Sequence, residues 1–462
     1  MFIIYWFLLK NNRNYQNAFL LLVSYVFYAS WNWKFLFLLI FSTVLDFGMG
    51  LKIEKSNAKI WRKIWLIFSV GINLGFLGLF KYYNFFIHSF ADLLMNFGIK
   101  SNTSTLQYIL PVGISFYTFH GLSYVFDIYN RKILARKNWI DYSLFVSFFP
   151  LLVAGPIERA THLLPQIENN RRFQFGKAID GLKQIAWGLF KKIIIADNCA
   201  VYVNLIFENP SHYHGSTLML GAFLFSFQIY GDFSGYSDMA LGSARLFGFE
   251  LLKNFSFPYF SKSISEFWKR WHISLSSWFR DYLYIPLGGN RVNNFRQILN
   301  VLIVFIVSGF WHGANWTFMI WGFVNGVFVV LDNFFNHSVK EPKTEINVKN
   351  STSFINVLQI LFTFTIVSLI WIIFRSDNIF FAFKYFKNLF SSTLFSMPEI
   401  RPRVLGVLLL FFISVEWMGR KQDFALSNLF QNKILRTSFY LLIFTILILF
   451  SAKPQTFIYF QF

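Results

Sequence analysis

The chain has 462 residues, of which 55% are hydrophobic and 22% aromatic, while only 14% are charged. Soluble globular domains carry roughly 25% charged residues, so this composition excludes an ordinary soluble domain. Apolar runs of about 20 residues, the length that crosses a bilayer as an α-helix, recur along the whole sequence. Because the runs are continuous and not alternating, they exclude a β-barrel and predict an all-α polytopic membrane protein.

The net charge of +20 comes from basic residues that lie in short clusters between the apolar runs. Such clusters are typical of cytoplasmic loops under the positive-inside rule, so we expect a lipid bilayer and no nucleic acid as the partner. The single cysteine, Cys199, excludes an intrachain disulfide and a multi-cysteine metal site. The patterns HxxxH and HExxH do not occur, and we therefore expect no bound metal.

Ten apolar segments are candidate spans, and we predict about ten transmembrane helices in one domain that covers residues 1–462. The candidates are residues 16–31, 35–51, 64–87, 108–129, 139–157, 216–241, 301–331, 357–374, 404–417 and 438–452. The opening MFIIYWFLL is short and predicts a partial or interfacial helix. Residues 184–195 are apolar but interrupted by two lysines, so this segment need not cross. The longest polar stretch, 337–353, predicts a loop.

The charged loops predict an orientation. Residues 52–63 and 130–137 are basic, and residues 88–107 between them are nearly free of positive charge, which places the two basic clusters in the cytoplasm. The next loop, 158–183, is also basic, although simple alternation would place it outside. The segment before it, 139–157, contains the helix breakers FP and AGP, so we predict a bent or re-entrant segment with both ends in the cytoplasm. A kinked span followed by an atypical loop is the alternative.

The segment SISEFWKRWHISLSSWFRDYLYIPLGGN, residues 263–290, is amphipathic. Ser263 followed by Glu266 forms a capping-box pattern, which predicts a helix that starts near Ile264. Wound at about 100° per residue, the large apolar side chains apart from Ile273 fall on one arc and the charged and serine side chains on the other. His272 is the one ionisable residue on the apolar arc. We predict an interfacial helix, with a structural histidine bonded to a backbone carbonyl as the alternative interpretation of His272.

A second histidine lies in FWHGANWTFMIWG, residues 310–322. His312 is the only side chain of its apolar run that titrates near neutral pH, and ionisable groups at membrane depth usually line a cavity. Small residues follow it, Asn315 adds a polar group, and Trp311 and Trp316 can form the walls of a slot. A histidine there can accept a proton from a hydroxyl, which contributes roughly 10²–10⁴ in rate. A hydrogen-bonded core histidine is the alternative.

Several long motifs, in fixed order, resemble the membrane-bound O-acyltransferase family, in its bacterial polysaccharide-acetylating branch. They are LPVGISFYTFH (110–120), VAGPIER (153–159), FQIYGDFSGYSDMALG (227–242), FPYFSKSISEFWKRWHISLSSWFRDYLYIPLGGNR (257–291) and SGFWHGANWTFMIWG (308–322). The motif-bearing core is 108–331. The resemblance implies a bacterial cytoplasmic (inner) membrane enzyme that moves an acetyl group from a cytoplasmic thioester, such as acetyl-coenzyme A, toward an extracytoplasmic polysaccharide. No bound cofactor is implied.

The resemblance also assigns roles to residues. The invariant histidine of the family falls on His312, and its second motif histidine falls on His272. It implies spans around a central funnel, with His312 at the waist as base or acyl relay and His272 orienting the donor or sharing the proton. A separate extracytoplasmic acetyltransferase partner is implied. The candidate donor-binding residues are Trp311, Asn315, Arg270, Lys269, Arg280 and Trp271. The cations among them can attract an anionic donor, or they form only a solvated helix face.

Two other functions stay open at the level of sequence. One is transfer of D-alanine or another acyl group to a cell-wall polymer by the same family, against which only the YIPLGGN element, residues 284–290, and the overall resemblance argue. The other is a polysaccharide exporter without bond chemistry. An exporter would be expected to show paired, interrupted halves, and the sequence has none.

Overall fold

The computed structural model describes residues 1–10, 12–100, 105–106, 110–153, 155–338 and 354–458. Seventeen α-helices lie within these ranges. The chain divides into two compact units, of which the first comprises Met1–Leu182 with Ala240–Leu252 and the second comprises Lys183–Met239 with Lys253–Phe462. The prediction of an all-helical protein is confirmed over the described residues, and the prediction of a single functional domain stays a prediction.

The first unit is built on a long N-terminal helix. Its helices are α1 (Arg13–Lys55), α2 (Lys59–Leu77), α3 (Tyr83–Asn96), α4 (Ile114–Tyr129), α5 (Trp139–Ser147), α6 (Ala160–Glu168) and the start of α7 (Phe175–Leu189). The opening segment contains a π-helical turn, Ile4–Leu8. Asn12 caps α1 by accepting the Tyr15 N–H. The backbone of α1 is extended at Asn32, so α1 consists of two helical segments, and the predicted spans 16–31 and 35–51 lie on either side of this break.

A buried polar network packs α1 against α2 and α4. The Asp46 carboxylate accepts hydrogen bonds from the Ser69 hydroxyl at 2.6 Å and the Asn73 side-chain amide at 2.8 Å. A Cβ on Gly121 of α4 would meet the same carboxylate at 2.0 Å, so a larger residue there would displace the Asp46 side chain. A buried carboxyl is tolerated when its oxygens are hydrogen-bonded, and this one fixes three helices.

The predictions for residues 139–157 and for residues 158–183 have different outcomes. The helix that starts at Trp139 ends at Ser147 and is followed by a 3₁₀ turn, Phe149–Leu151, so the segment is bent as predicted. Whether both of its ends face the cytoplasm stays a prediction. The stretch 158–183 is not a loop, because it contains α6 and the first half of α7. Of the basic residues that suggested a loop, Arg159 is buried before α6, Arg171 and Arg172 lie between α6 and α7, and Lys177 and Lys183 lie on α7.

The second unit contains the end of α7 and ten further helices. These are α8 (Asp197–Glu208), α9 (Gly215–Leu246, whose last turns belong to the first unit), α10 (Ile264–Arg270), α11 (Ile273–Phe279), α12 (Asn294–His312), α13 (Trp316–Ser338), α14 (Phe354–Arg375), α15 (Ile379–Leu389), α16 (Arg403–Gly419) and α17 (Lys433–Leu449). π-Helical turns lie at Phe190–Ala196 and Arg280–Tyr284. The predicted loop at 337–353 lies mostly outside the described residues.

Two predicted continuous helices are interrupted at the histidines. The amphipathic helix predicted from Ile264 is wrong as a single element, because the backbone leaves the helical region at Trp271 and His272. Its predicted cap is confirmed, since the Ser263 hydroxyl accepts the Glu266 N–H at 3.2 Å. The apolar run 301–331 is also not one span, because α12 ends at His312. Apolar periodicity cannot reveal such breaks, since the residues on either side keep the same pattern.

The pair α12 and α13 packs at two glycines. A Cβ on Gly309 would meet the Phe318 carbonyl oxygen at 2.2 Å, and a Cβ on Gly322 would meet the Phe305 carbonyl oxygen at 2.2 Å. The two helices therefore touch backbone to backbone, a contact typical of helices inside membranes. This contact fixes the position of the last turn of α12 and with it His312.

Five helical stretches are long and apolar enough to cross a bilayer. They are Arg13–Lys55, Lys59–Asn96, Asn294–His312, Trp316–Phe335 and Phe354–Arg375. Their length and hydropathy identify the chain as a membrane protein. Five stretches of the described residues meet these criteria, so the predicted number of about ten spans stays a prediction.

Candidate active site

His272 and His312 lie close together in the second unit, although 40 positions separate them in the chain. Their ring centroids are 6.2 Å apart at an interplanar angle of 61°. The side chains are almost fully buried, with 1% of His272 and 4% of His312 exposed. The fold thus brings together the two residues that the sequence had selected, and it does so at two helix ends.

Asn254 supports the backbone next to His272. His272 has φ 44° and ψ 52°, the left-handed conformation, and it is followed directly by α11. The Ile273 N–H donates to the Asn254 carbonyl at 2.9 Å, and the Ser274 hydroxyl donates to the Asn254 side-chain oxygen at 2.5 Å. A non-glycine residue in a strained backbone conformation costs about 1–3 kcal/mol and persists only where its surroundings hold it. These bonds to Asn254 supply part of that support.

The imidazole of His272 is electrostatically isolated. Neither ring nitrogen has a hydrogen-bond partner among the described residues, so the predicted alternative of a bond to a backbone carbonyl is not found there. Phe233 packs edge-on against the ring with centroids 4.7 Å apart. Burial removes the ring from water and lowers the pKa of His272 to about 3. The ring is therefore neutral near pH 7 and keeps a lone pair that can accept a proton or a hydrogen bond.

Aromatic rings surround His312. Trp311 lies at 5.0 Å, Trp321 at 5.3 Å and Phe374 at 5.7 Å between ring centroids. Trp316, which the sequence suggested as a wall, is half exposed, and Trp321 lies against the histidine instead. These walls keep water from the imidazole and hold its plane, which favours a defined direction for proton transfer.

The other candidate residues next to α13 and α10, Asn315 and Trp271, have partners within the protein. Asn315 accepts the Thr317 N–H at 3.1 Å, which caps α13, and donates to the distant Asp377 carbonyl at 2.7 Å. Trp271 is buried and packs against Trp371 with centroids 5.1 Å apart. Both residues lie within a few positions of a histidine, and their roles in donor binding stay predictions.

The three predicted donor-binding cations differ in their surroundings. Arg270 forms an ion pair with Glu266 one turn before it, and Arg280 pairs with the neighbouring Asp281 at 2.8 Å. Lys269 is exposed and lines a cavity of about 230 Å³ between α10, α11 and α12. Paired surface cations contribute little to attraction of a ligand, so Lys269 is the strongest of these three candidates.

A buried ion-pair network lies next to the histidine pair, and sequence reasoning missed its role. Lys192 bridges Asp197 and Asp232, each at 2.8 Å, and donates to the Gln455 carbonyl at 3.0 Å. Asp232 directly precedes Phe233, whose ring contacts His272. The two lysines in the apolar run 184–195 were the available signal, because a lysine in such a run needs a carboxylate partner.

No cluster of three or more His, Cys, Asp or Glu side chains that could hold a metal ion occurs within the described residues. The site instead offers two imidazoles, at least one of them neutral, inside an aromatic enclosure. Such an arrangement can accept a proton from a hydroxyl or carry a transferred group on a ring nitrogen. It is suited to group transfer between substrates that reach the two rings.

Comparison with known proteins agrees with this chemistry. The sequence pattern of the membrane-bound O-acyltransferase family (MBOAT) matches residues 114–376. A probable alginate O-acetylase of Pseudomonas aeruginosa is 37% identical over 420 residues, which cover 89% of this chain and 78% of that protein. A peptidoglycan O-acetyltransferase of Helicobacter pylori is 37% identical over 404 residues, or 82% of this chain and 74% of that protein.

A third relative is more distant. A teichoic acid D-alanyltransferase of Streptococcus thermophilus is 26% identical over 315 residues, which cover 63% of this chain and 75% of that protein. The family match includes both histidines and their aromatic surroundings. The chain is an O-acyltransferase that belongs to the membrane-bound O-acyltransferase family.

Proposed function

We propose that this protein transfers an acetyl group from a cytoplasmic thioester donor for O-acetylation of an extracytoplasmic polysaccharide. The observation that carries the proposal is the buried pair His272 and His312, whose rings are 6.2 Å apart in an aromatic enclosure. The names of the 37% identical relatives, an alginate O-acetylase and a peptidoglycan O-acetyltransferase, support acetyl as the group and a polysaccharide as the acceptor.

The proposal includes a location and an architecture. We place the chain in the bacterial cytoplasmic membrane with about ten spans, and with His312 at the waist of a central funnel. The positive clusters between apolar runs support this orientation. Acetyl-coenzyme A or another acyl thioester is the co-substrate on the cytoplasmic side. A separate extracytoplasmic acetyltransferase takes up the acetyl group and passes it to the polymer.

The proposed step is base-assisted attack on the thioester. A hydroxyl gives its proton to His312 while its oxygen forms a bond to the acetyl carbonyl carbon, after which the carbon–sulfur bond breaks and the thiolate takes a proton. In a relay variant, a ring nitrogen of His312 forms the new bond first and then passes the acetyl group to the hydroxyl oxygen. His272, which is neutral at pH 7, accepts a hydrogen bond from the donor or from the group that carries the transferred proton.

The second candidate within the family is transfer of D-alanine to a cell-wall polymer. The D-alanyltransferase of S. thermophilus shares 26% identity with the chain, against 37% for the two acetylating relatives. This difference favours acetyl. A polysaccharide exporter without bond chemistry is disfavoured by the family match.

The test is the acetyl content of extracellular polysaccharide in cells that carry wild type, His312→Ala or His272→Ala at matched membrane levels. We expect acetylation to fall by roughly 10² or more in both variants, with polymer secretion unchanged. Fully acetylated polysaccharide from cells that carry His312→Ala would contradict the proposal. Loss of the polymer itself would favour the exporter. Membranes offered acetyl and D-alanyl thioesters in parallel decide between the two acyl groups.

A further inference from the structure

Segment 455–458, which follows α17, packs against the buried ion-pair network of the second unit. It is hydrogen-bonded at both ends, since the Lys192 ammonium donates to the Gln455 carbonyl at 3.0 Å and the Ile458 N–H donates to the Asp232 carboxylate at 2.7 Å. The Phe457 side chain, which lies between these two bonds, is buried. The network therefore holds this segment in place with one aromatic ring inside the protein.

The Phe457 ring contacts two aromatic rings of α9. It lies edge-on to Tyr236 with centroids 4.5 Å apart, and edge-on to Phe233 with centroids 6.4 Å apart. Phe233 also lies edge-on to His272, at 4.7 Å between centroids. A continuous row of rings thus connects segment 455–458 to a histidine of the candidate active site.

Packing of this kind sets the orientation of the His272 ring. Neither ring nitrogen has a hydrogen-bond partner among the described residues, so no hydrogen bond from them fixes the plane of the ring. Phe233 lies nearer to the imidazole than Trp311 at 6.0 Å or His312 at 6.2 Å between centroids. Because protein interiors are close-packed, a ring that moves also moves its neighbours. A shift of Phe233 is therefore expected to displace the imidazole of His272.

Asp232 joins the ion-pair network to this row of rings. One of its carboxylate oxygens lies 2.8 Å from the Lys192 ammonium, and the other accepts the Ile458 N–H. The next residue in the chain is Phe233. A buried ion pair is weak evidence of stabilisation, because both charges lose their hydration. Its oriented bonds instead fix the two backbone stretches that carry Phe233 and Phe457.

We propose that Asp232 and Phe457 are positioning residues for His272, and that segment 455–458 is a structural part of the acyl-transfer site. Asp232 holds the segment, Phe457 supports Phe233, and Phe233 sets the place of the imidazole. The role of His272 in the reaction rests on the proposed function, whereas the contacts that hold its ring do not.

The first test is thioester consumption by membranes from cells that carry each variant, with acetyl-coenzyme A as donor and the rate divided by the amount of folded protein. We expect Phe457→Ala and Asp232→Asn each to lower kcat about tenfold and to leave KM within about twofold, because displacement of a reacting group by about 1 Å can cost 10²-fold in rate. Where Asp232→Asn fails to fold, Phe457→Ala tests the same row of rings with the ion pairs intact.

Asp197→Asn is the matched control for Asp232→Asn. It removes a carboxylate that the same Lys192 contacts at 2.8 Å, and it keeps the bond between Asp232 and Ile458. Asp197 also interacts with the backbone of Gln455, so the control loosens the other end of the segment. Its kcat is expected to stay within about twofold of wild type, because Phe233 and Phe457 keep their support. A tenfold loss in this variant would overturn the specific role of Asp232.

A second readout does not depend on activity. Diethyl pyrocarbonate modifies neutral imidazoles that it can reach, and the buried ring of His272 is expected to react slowly in the wild type. Phe457→Ala and Asp232→Asn are each expected to raise the rate of modification at His272 at least about fivefold, because a ring with less support is exposed more often. Peptide mass spectrometry measures this rate. His120, which is fully buried in the first unit, is the internal standard and is expected to stay unreactive.

The outcomes separate this proposal from the proposed function. Faster modification of both histidines would mean that the whole fold has loosened, and would overturn the positioning role. Wild-type kcat together with unchanged modification of His272 in both variants would also overturn it. Full acetyl transfer by His272→Gln would remove the role of His272 in the proposed function, but a raised modification rate in Phe457→Ala would still show that segment 455–458 holds the ring.

Discussion

Two buried histidines, His120 in the first unit and His272 in the second, differ in their backbone and their hydrogen bonding. His120 lies in the middle of α4, is fully buried, and accepts the Glu158 N–H at 3.1 Å on one ring nitrogen. His272 lies between two helices in a left-handed conformation, and neither of its ring nitrogens has a partner among the described residues.

We propose that this difference separates a histidine that holds the fold, His120, from one that serves the proposed reaction, His272. Glu158 ties three elements together, because its backbone N–H reaches His120 while its carboxylate reaches His162 and the Leu252 N–H. A buried polar group without partners costs free energy, so His272 is retained at a cost to stability. Such a cost is expected at a site where a substrate supplies the missing contacts.

The largest expected effect is on the rate of acetyl transfer, which should fall when His272 is replaced but not when His120 is replaced. We expect His272→Gln to lower acetyl transfer per folded molecule by about 10² or more, because glutamine cannot accept and return a proton. His120→Gln is expected to lower the amount of folded protein and to leave the rate per folded molecule within about twofold. Fluorescence-detected size exclusion gives the folded amount, and a thioester-consumption assay gives the rate. Equal losses of rate in both variants would contradict the distinction.

A smaller effect is expected when Asn254, which supports the backbone next to His272, is replaced. Asn254→Ala removes the oxygen that accepts the Ser274 hydroxyl but keeps the backbone carbonyl that accepts the Ile273 N–H. The side-chain hydrogen bond that is lost contributes about 0.5–1.5 kcal/mol and helps to hold the backbone next to the left-handed His272. We therefore expect a roughly tenfold lower kcat, measured with purified protein.

The double variant Asn254→Ala/Ser274→Ala is the control for this effect. It removes both side chains of this hydrogen bond and is expected to recover part of the stability that Asn254→Ala loses. If Asn254→Ala changes thermal stability but not kcat, Asn254 supports the fold without positioning His272.

Much of the site was predictable from sequence, and the missing parts share a physical cause. His272 and His312 stand out because an ionisable residue in apolar surroundings is rare and costly. The helix breaks beside them were missed, since side-chain periodicity does not report backbone conformation. Asn254 gave no signal, because a single asparagine between helices is common and its role depends on a bond to a residue 20 positions away.

The fold itself was predictable in class but not in its connections. Hydropathy predicts helices that cross a bilayer, and five stretches satisfy both length and apolarity. The basic stretch 158–183 was interpreted from its charge alone, and the structure shows two helices there.

The smallest expected effect is a pH dependence in the first unit, at the other histidine that Glu158 contacts. The hydrogen bond to Glu158 at 2.8 Å raises the pKa of His162 above its usual value near 6.5. The stabilisation is therefore fully present below pH 6.5 and is lost as pH rises through the raised pKa. Because His162 is half exposed, we expect less than about 1 kcal/mol.

The measurement is the thermal midpoint of wild type and His162→Gln in detergent from pH 5.5 to 9. The midpoint difference between the two proteins is expected to be largest at the acid end and to shrink toward pH 9, because only the protonated imidazole gains from the Glu158 carboxylate. A difference that grows with pH would mean that the neutral ring is the favoured form, as it is at His272. In that case His162 and His272 would both favour the neutral imidazole. The contrast between a structural and a reactive imidazole would then rest on geometry alone.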